Sequence, residues 1–298
     1  MEFRGIFPAL TTPYEAAGEV SLSGLKENIR RYNQTGLAGY LVLGSTGEAV
    51  MLGHEESEAV LAAVKEVAAP EKLLIAGTGA ESTGETIART KRAAALGYQA
   101  ALVKTPYYYK PAYRPENYIR HFCAVADASP IPVLLYSVPV FTGVTLETPE
   151  ILTLAEHTNI VGIKDSSGSV QRIAEVVSGA AAGFHVLTGG AAVVYPALAV
   201  GAKGAILALA SALPEKFVEL YGLVLQGRHE QAKQLQLALV NTSKRIMSEN
   251  GIAGLKYAMD LRGYHGGVPR LPLLPLNEEK KRQIAALVAQ HETSAAHV

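Results

Sequence analysis

Residues 132–164 read PVLLYSVPVFTGVTLETPEILTLAEHTNIVGIK, and the succession of patterns in this stretch decides the fold. The run 132–136 is short and mostly apolar on both faces, as a strand in a parallel sheet covered on both sides must be. The segment 148–156 has the length and start signal of a helix, with Thr148 as N-cap and Pro149 at the first helical position. The run 160–164 is apolar again. Strand, helix and strand in this order form a parallel crossover unit.

The same alternation continues in both directions. Strand-like runs occur at 5–10, 39–43, 72–76, 100–104, 132–136, 160–164, 185–188 and 204–207. Helical patterns occupy 22–33, 54–68, 83–96, 115–128, 148–156, 169–178, 191–200 and 214–226. Eight β-then-α units in about 225 residues imply an α/β fold, a (β/α)8 TIM barrel. An open doubly wound sheet normally has fewer strands and a Gly-rich loop after the first, where this chain has Thr11-Thr12-Pro13. Beyond 226 no strand alternates in: 228–248, 251–261 and 277–290 read as helices, with a Gly/Pro-rich linker at 263–275. The expected division is a catalytic barrel at 1–226 and a C-terminal helical appendage at 227–298, whose last residues, 292–298, fray.

Composition narrows the function. Hydrophobic residues make up 49% and charged residues 18%, so a sizeable core is expected. Lys+Arg and Asp+Glu balance at 27 each, which gives no general attraction to nucleic acid or anionic lipid. Cys123 is the single cysteine, so neither an internal disulfide nor a thiolate metal cage can form. The N-terminus lacks a basic region followed by an apolar stretch, and the most apolar run, 205–213, stops at Pro214, too short for a bilayer. A soluble cytoplasmic protein without membrane or nucleic-acid partners is expected.

In such a barrel the chemistry sits at the C-terminal strand ends and the loops that follow them. Lys164 closes the sixth strand and would face the barrel mouth. Desolvation there disfavours an ammonium and leaves an amine able to attack a carbonyl. A lysine paired with Asp165 or reaching outward is the competing reading, and Lys104, which closes the fourth strand, is a rival nucleophile. Tyr136 closes the fifth strand and is either a proton shuttle beside Lys164 or a packing residue. The GSTGE turn at 44–48 offers the hydroxyls of Ser45 and Thr46 and free backbone N–H groups, a donor set suited to a carboxylate or to capping a helix. Gly189-Gly190, after the seventh strand, suits either a phosphate grip or a close backbone approach. The histidines are scattered, with no His-x-His, His-Glu-x-x-His or Asp-x-Asp pair, so no metal is expected.

PALTTP at 8–13, GSTGE at 44–48, TPYY at 105–108, YSVP at 136–139 and GIKDS at 162–166, in this order and spacing, resemble the dihydrodipicolinate synthase / N-acetylneuraminate lyase family of class I aldolases. The resemblance covers nearly the whole chain. It implies that Lys164, rather than Lys104, is the Schiff-base lysine, that Tyr136 relays protons, and that Ser45 and Thr46 cradle the carboxylate of a keto acid. Tyr108 matches a tyrosine that in several members enters the neighbouring subunit's site and completes a hydroxyl relay with Thr46. The substrate-binding set becomes Ser45, Thr46, Phe141, Ser166, Gly189 and Ile206. Pyruvate and an aldehyde are the implied small-molecule partners, without cofactor or metal, in a homotetramer built as a dimer of dimers.

Within that family, dihydrodipicolinate synthases typically carry arginine two residues after Tyr-x-Val-Pro, where this chain has Phe141. A phenyl ring cannot grip a carboxylate as a guanidinium does. The runs at 129–139, 164–168, 251–256 and 263–267 are closer to 4-hydroxy-2-oxoglutarate aldolases, which release pyruvate and glyoxylate. Phe141 and Thr46 depart from that group too. The expected activity is therefore a pyruvate-releasing aldolase, first of all 4-hydroxy-2-oxoglutarate aldolase. Dihydrodipicolinate synthase or a sugar-acid aldolase or dehydratase is the alternative within the family. A keto-acid-binding regulator is the alternative outside catalysis, although mere binding would not need the set Lys164, Tyr136, Thr46 and Tyr108.

Overall fold

The computed structural model describes residues 1–293. The strands are β1 (Gly5–Pro8), β2 (Gly39–Val42), β3 (Leu73–Gly77), β4 (Ala100–Lys104), β5 (Val133–Ser137), β6 (Ile160–Asp165), β7 (His185–Thr188) and β8 (Gly204–Leu207). They form one parallel sheet in the order β1-β8-β7-β6-β5-β4-β3-β2. The two ends of that order meet: Ala38 N–H donates to Ile6 O and Leu10 N–H to Leu41 O, each at 2.9 Å. Those bonds close the sheet into the expected TIM barrel. Phe7, Leu41, Ile75, Leu102, Leu134 and Ile206 fill its interior, so the barrel is a packed core with its open space at the mouth.

The outer helices are α1 (Leu22–Asn33), α2 (His54–Val67), α3 (Thr83–Ala95), α4 (Pro115–Ala128), α5 (Pro139–Thr142), α6 (Thr148–Ala155), α7 (Val170–Gly179), α8 (Val194–Ala199) and α9 (Pro214–Leu225). Apart from the four-residue α5, they turn apolar stripes to the outer face of the sheet; α7 buries Ile173 and Val176 and is capped by Ser169, whose hydroxyl accepts the Arg172 N–H at 3.1 Å.

Local boundaries depart from the sequence reading for identifiable reasons. Glu147, not Thr148, is the N-cap of α6, and the Thr148 hydroxyl donates to Glu175 at 2.9 Å. The expected helix at 191–200 becomes a 3-10 turn followed by α8. Pro196 has no N–H to extend α-helical bonding backward, so it is accommodated only in the first turn. The short α5 was not anticipated; Pro139 starts it and the Thr142 hydroxyl donates to Val138 O at 3.1 Å.

After α9 come α10 (His229–Ser243), a π-helical turn at Lys244–Ser248, α11 (Gly251–Leu261) and α12 (Glu278–Thr293). The helix expected at 228–248 thus changes pitch over its last turn. The fraying expected at 292–298 falls largely on 294–298, outside the described residues. Leu239, Ile246, Leu255, Met259, Ile284 and Val288 join the same core as barrel residues Ile29 and Phe217. Each such side chain contributes about 1.5–3 kcal/mol on burial, before the entropy of ordering it. Among the described residues no helix is long and apolar enough to cross a membrane.

Candidate active site

Adjacent strand ends bring the central pair together. Tyr136 on β5 stands opposite Lys164 on β6, and the Lys164 Nζ lies 4.2 Å from the centroid of the Tyr136 ring. Lys164 is 4% exposed and Tyr136 5%, so Lys164 does not reach outward. Nor is it taken by its sequence neighbour. Successive strand side chains point to opposite faces, and the Asp165 carboxylate pairs with Arg172 on α7 at 3.0 Å and accepts the Ser167 N–H at 2.8 Å.

Lys104 stands opposite Tyr136 on the other side, but its ammonium is committed to Glu81 at 2.9 Å and lies 4.6 Å from the Tyr107 ring centroid. The two lysines differ in setting: Lys104 is ion-paired at the rim, and Lys164 lies buried against a phenol ring.

Gly189 lies against Lys164. A Cβ at this position would stand 1.9 Å from Ser166 Oγ and 3.1 Å from Lys164 Cε. What approaches the backbone so closely is this chain's own lysine and serine, which accounts for the glycine without a phosphate. The Gly189 N–H donates to Asp165 O at 2.6 Å and the Ser166 N–H to Ser137 O at 2.9 Å, which extends the ladder past the strand ends and stiffens the lysine's surroundings.

The GSTGE turn follows β2 as a 3-10 turn over Ser45–Gly47. It is bracketed by two non-glycine residues with left-handed backbone, Leu43 at φ 59° and Glu48 at φ 55°. Such conformations cost about 1–3 kcal/mol each and persist where surrounding structure imposes them. Gly77 makes room for one: a Cβ there would be 2.1 Å from Leu43 O. The Thr12 hydroxyl holds the turn from the other side, donating to Gly47 O at 2.7 Å. Thr46 is buried and Ser45 half-buried. Ser45, Gly44, Lys104, Tyr107 and Tyr136 line a cleft of about 290 Å³ at the mouth.

Three candidates lie away from this cluster. Tyr108 is 72% exposed, edge-on to Tyr109 with ring centroids 5.0 Å apart. Phe141 is 62% exposed on α5, beside the exposed Val140. Ile206 is wholly buried in the interior cluster that includes Tyr136 and Leu187, so its side chain packs the barrel beneath the mouth.

Sequence reasoning missed the groups that hold the loops. Glu81 accepts the backbone N–H groups of Tyr107 and Tyr108, each at 2.9 Å, as well as Lys104. Burial pushes its carboxyl up, but those two N–H groups and the ammonium outweigh burial and hold it below the ordinary carboxylate range. Glu48 is buried against Lys256 of α11. A lysine on the apolar stripe of the GIAGLK run at 251–256 was the one visible signal for that pair.

A model of the Dihydrodipicolinate synthetase family matches residues 2–291. The chain belongs to this family. It is 35% identical over 288 residues to a 4-hydroxy-tetrahydrodipicolinate synthase of an Exiguobacterium species, covering 97% of this chain and 98% of that one. The synthase of the same name from Methanothrix thermoacetophila is 36% identical over 283 residues, 95% of each chain. Among solved structures, the chloride-inhibited dihydrodipicolinate synthase of Acinetobacter baumannii complexed with pyruvate is similar throughout. Its TM-score is 0.93 at 32% identity, covering 98% of this chain and 99% of that one. This family member is a carbon–carbon lyase of the Schiff-base-forming, class I aldolase type, built on a TIM barrel with C-terminal helices.

Proposed function

We propose that the protein condenses the ketone of pyruvate with Lys164 and makes or breaks a carbon–carbon bond at the methyl carbon of the resulting imine. The observation that carries this is the seat of Lys164, buried beside the bare Gly189 backbone and 4.2 Å from the Tyr136 ring centroid. The amine attacks the ketone carbon, water leaves, and the protonated imine accepts the electron pair of the breaking bond. In the cleavage direction Tyr136 relays the proton of the substrate hydroxyl, passing its own on to the hydroxyl of Thr46 and from there to Tyr108. The hydroxyls of Ser45 and Thr46 and the N–H groups of their turn hold the carboxylate without reorganising. Ser166 and Gly189 shape the space around the imine, Ile206 packs the barrel floor beneath it, and Phe141 faces the second substrate from the rim. The barrel, 1–226, carries this chemistry and 227–298 supports it.

The second substrate follows from what occupies position 141. With phenylalanine in place of a guanidinium, the first candidate reaction is cleavage of 4-hydroxy-2-oxoglutarate to pyruvate and glyoxylate. The names of the relatives favour a second reading, condensation of pyruvate with aspartate semialdehyde. We assign the protein to the cytoplasm as a homotetramer, a dimer of dimers. Its first contact is seeded by the exposed Tyr108, Tyr109, Val140 and Phe141, with Tyr108 entering the neighbouring site. The deciding experiment is incubation with pyruvate and borohydride followed by peptide mass spectrometry. An adduct confined to the Lys164 peptide is expected; an adduct on Lys104, or none, would end this reading. Turnover of 4-hydroxy-2-oxoglutarate against pyruvate plus aspartate semialdehyde then separates the two reactions.

A further inference from the structure

The carboxylate turn is held from the appendage. Glu48, the residue after Gly47, buries its side chain completely, and its Oε1 lies 2.6 Å from Lys256 Nζ on α11, with both side chains 1% exposed. Its Oε2 accepts the Arg270 backbone N–H at 3.0 Å. Lys256 also donates to Val268 O at 2.8 Å and lies 4.3 Å from the Tyr14 ring centroid. The Arg270 guanidinium stacks on the same ring at 4.2 Å and grips Glu56 through two bonds, at 2.6 and 2.9 Å. It donates further to Met51 O at 2.9 Å and Gly18 O at 2.7 Å. Appendage residues 256–270 therefore clamp both ends of the segment 48–56.

Stability alone does not call for such a pair. Removing a carboxylate and an ammonium from water is costly for each ion, and apolar side chains of similar volume often hold a contact as well. What apolar side chains cannot do is fix one charged oxygen at one place. Here the fixed oxygen belongs to a residue forced to φ 55°, one peptide beyond the turn of Ser45 and Thr46. We infer that Lys256 and Glu48 are positioning residues that hold the Ser45–Thr46 turn in its keto-acid-binding form, so that the C-terminal appendage completes the active site. This rests on the reading of Ser45 and Thr46 as the carboxylate cradle.

The test uses the full chain and pyruvate itself. Glu48→Gln, Lys256→Met, the double variant and Lys256→Arg are each titrated with pyruvate during borohydride trapping, and KM is measured for pyruvate and for the aldehyde. Glu48→Gln is expected to raise the half-saturating pyruvate concentration about tenfold, leaving the maximal trapping rate and the aldehyde KM within about twofold. Lys256→Arg keeps the charge and should return most of the pyruvate affinity. The double variant leaves no unpaired buried ion, so it is expected to fold even where a single change does not, and to keep the raised half-saturation. Folded Glu48→Gln or double variant with wild-type pyruvate half-saturation overturns the inference, as does a double variant that cannot fold, which would make the contact structural only. Wild-type protein that forms no Lys164 adduct removes the cradle reading instead, and the inference falls with it.

Discussion

Two loops at the barrel mouth are held by the same device at different depths. After β2, Glu48 binds the backbone N–H of Arg270 and the ammonium of Lys256; after β3, Glu81 binds the N–H groups of Tyr107 and Tyr108 and the ammonium of Lys104. The first pair is 1% exposed on both sides, whereas Lys104 and Glu81 are 16% and 41% exposed. Coulomb attraction is strong and poorly screened in the first setting, weak and salt-sensitive in the second. The difference matches what each loop has to do. On the proposed function, the buried clamp defines a turn that presents the two hydroxyls of Ser45 and Thr46 in one geometry. The wet clamp holds a loop whose exposed Tyr108, on the proposed function, adjusts to a neighbouring subunit.

The largest expected effect breaks the buried clamp. Lys256→Ala strips Glu48 of its counter-ion and should destabilise the fold by about 3–5 kcal/mol in urea denaturation. A loss no larger than that of a surface change would mean that water reaches Glu48 and that the contrast in depth is illusory.

The next effect concerns the wet clamp. Glu81→Gln should change stability by less than about 1 kcal/mol, and the change should shrink further at high salt. Its activity should fall more than its stability, because the two N–H groups that orient Tyr108 lose a charged acceptor. Gel filtration and steady-state kinetics at two salt concentrations check this together. Wild-type kcat in a stable, assembled variant would mean that the bonds from Glu81 do not set the working position of Tyr108.

Much of this architecture was legible in the chain. Strands buried on both faces appear as short apolar runs, so the barrel and the placing of Lys164 and Tyr136 at strand ends followed directly. The clamps did not. Glu48 was read only as the last letter of a glycine turn, because its partner lies in a helix at the far end of the chain and a single sequence carries no pairing signal. Glu81 follows a strand with no motif around it, and its partners are backbone N–H groups, which no composition reveals. The resemblance places Tyr108 and Phe141 in the site, yet the single chain leaves both exposed, and a sequence carries no signal for what a rim side chain meets.

The smallest effect is read in acid. Hydrogen bonds from Arg270 outweigh partial burial and hold the Glu56 carboxyl down from its ordinary 4.5 to about 2. A carboxyl depressed on folding stabilises the native state above its unfolded value, and that contribution is lost as pH falls through the folded one. The Glu56–Arg270 contact should therefore persist until pH falls from 4.5 toward 2. Glu81 also sits below the ordinary range, so the Tyr108 loop loosens by the same sign as its own carboxyl protonates. Urea midpoints measured down this window should fall more gently in Glu56→Gln than in the wild type, while the two run parallel above the ordinary carboxylate value. The effect is modest because Glu56 is 36% exposed and solvent screens the pair. Equal slopes in both proteins would mean that Arg270 holds the appendage through Met51 O, Gly18 O and the Tyr14 ring alone, and that the charge of Glu56 is incidental to the clamp.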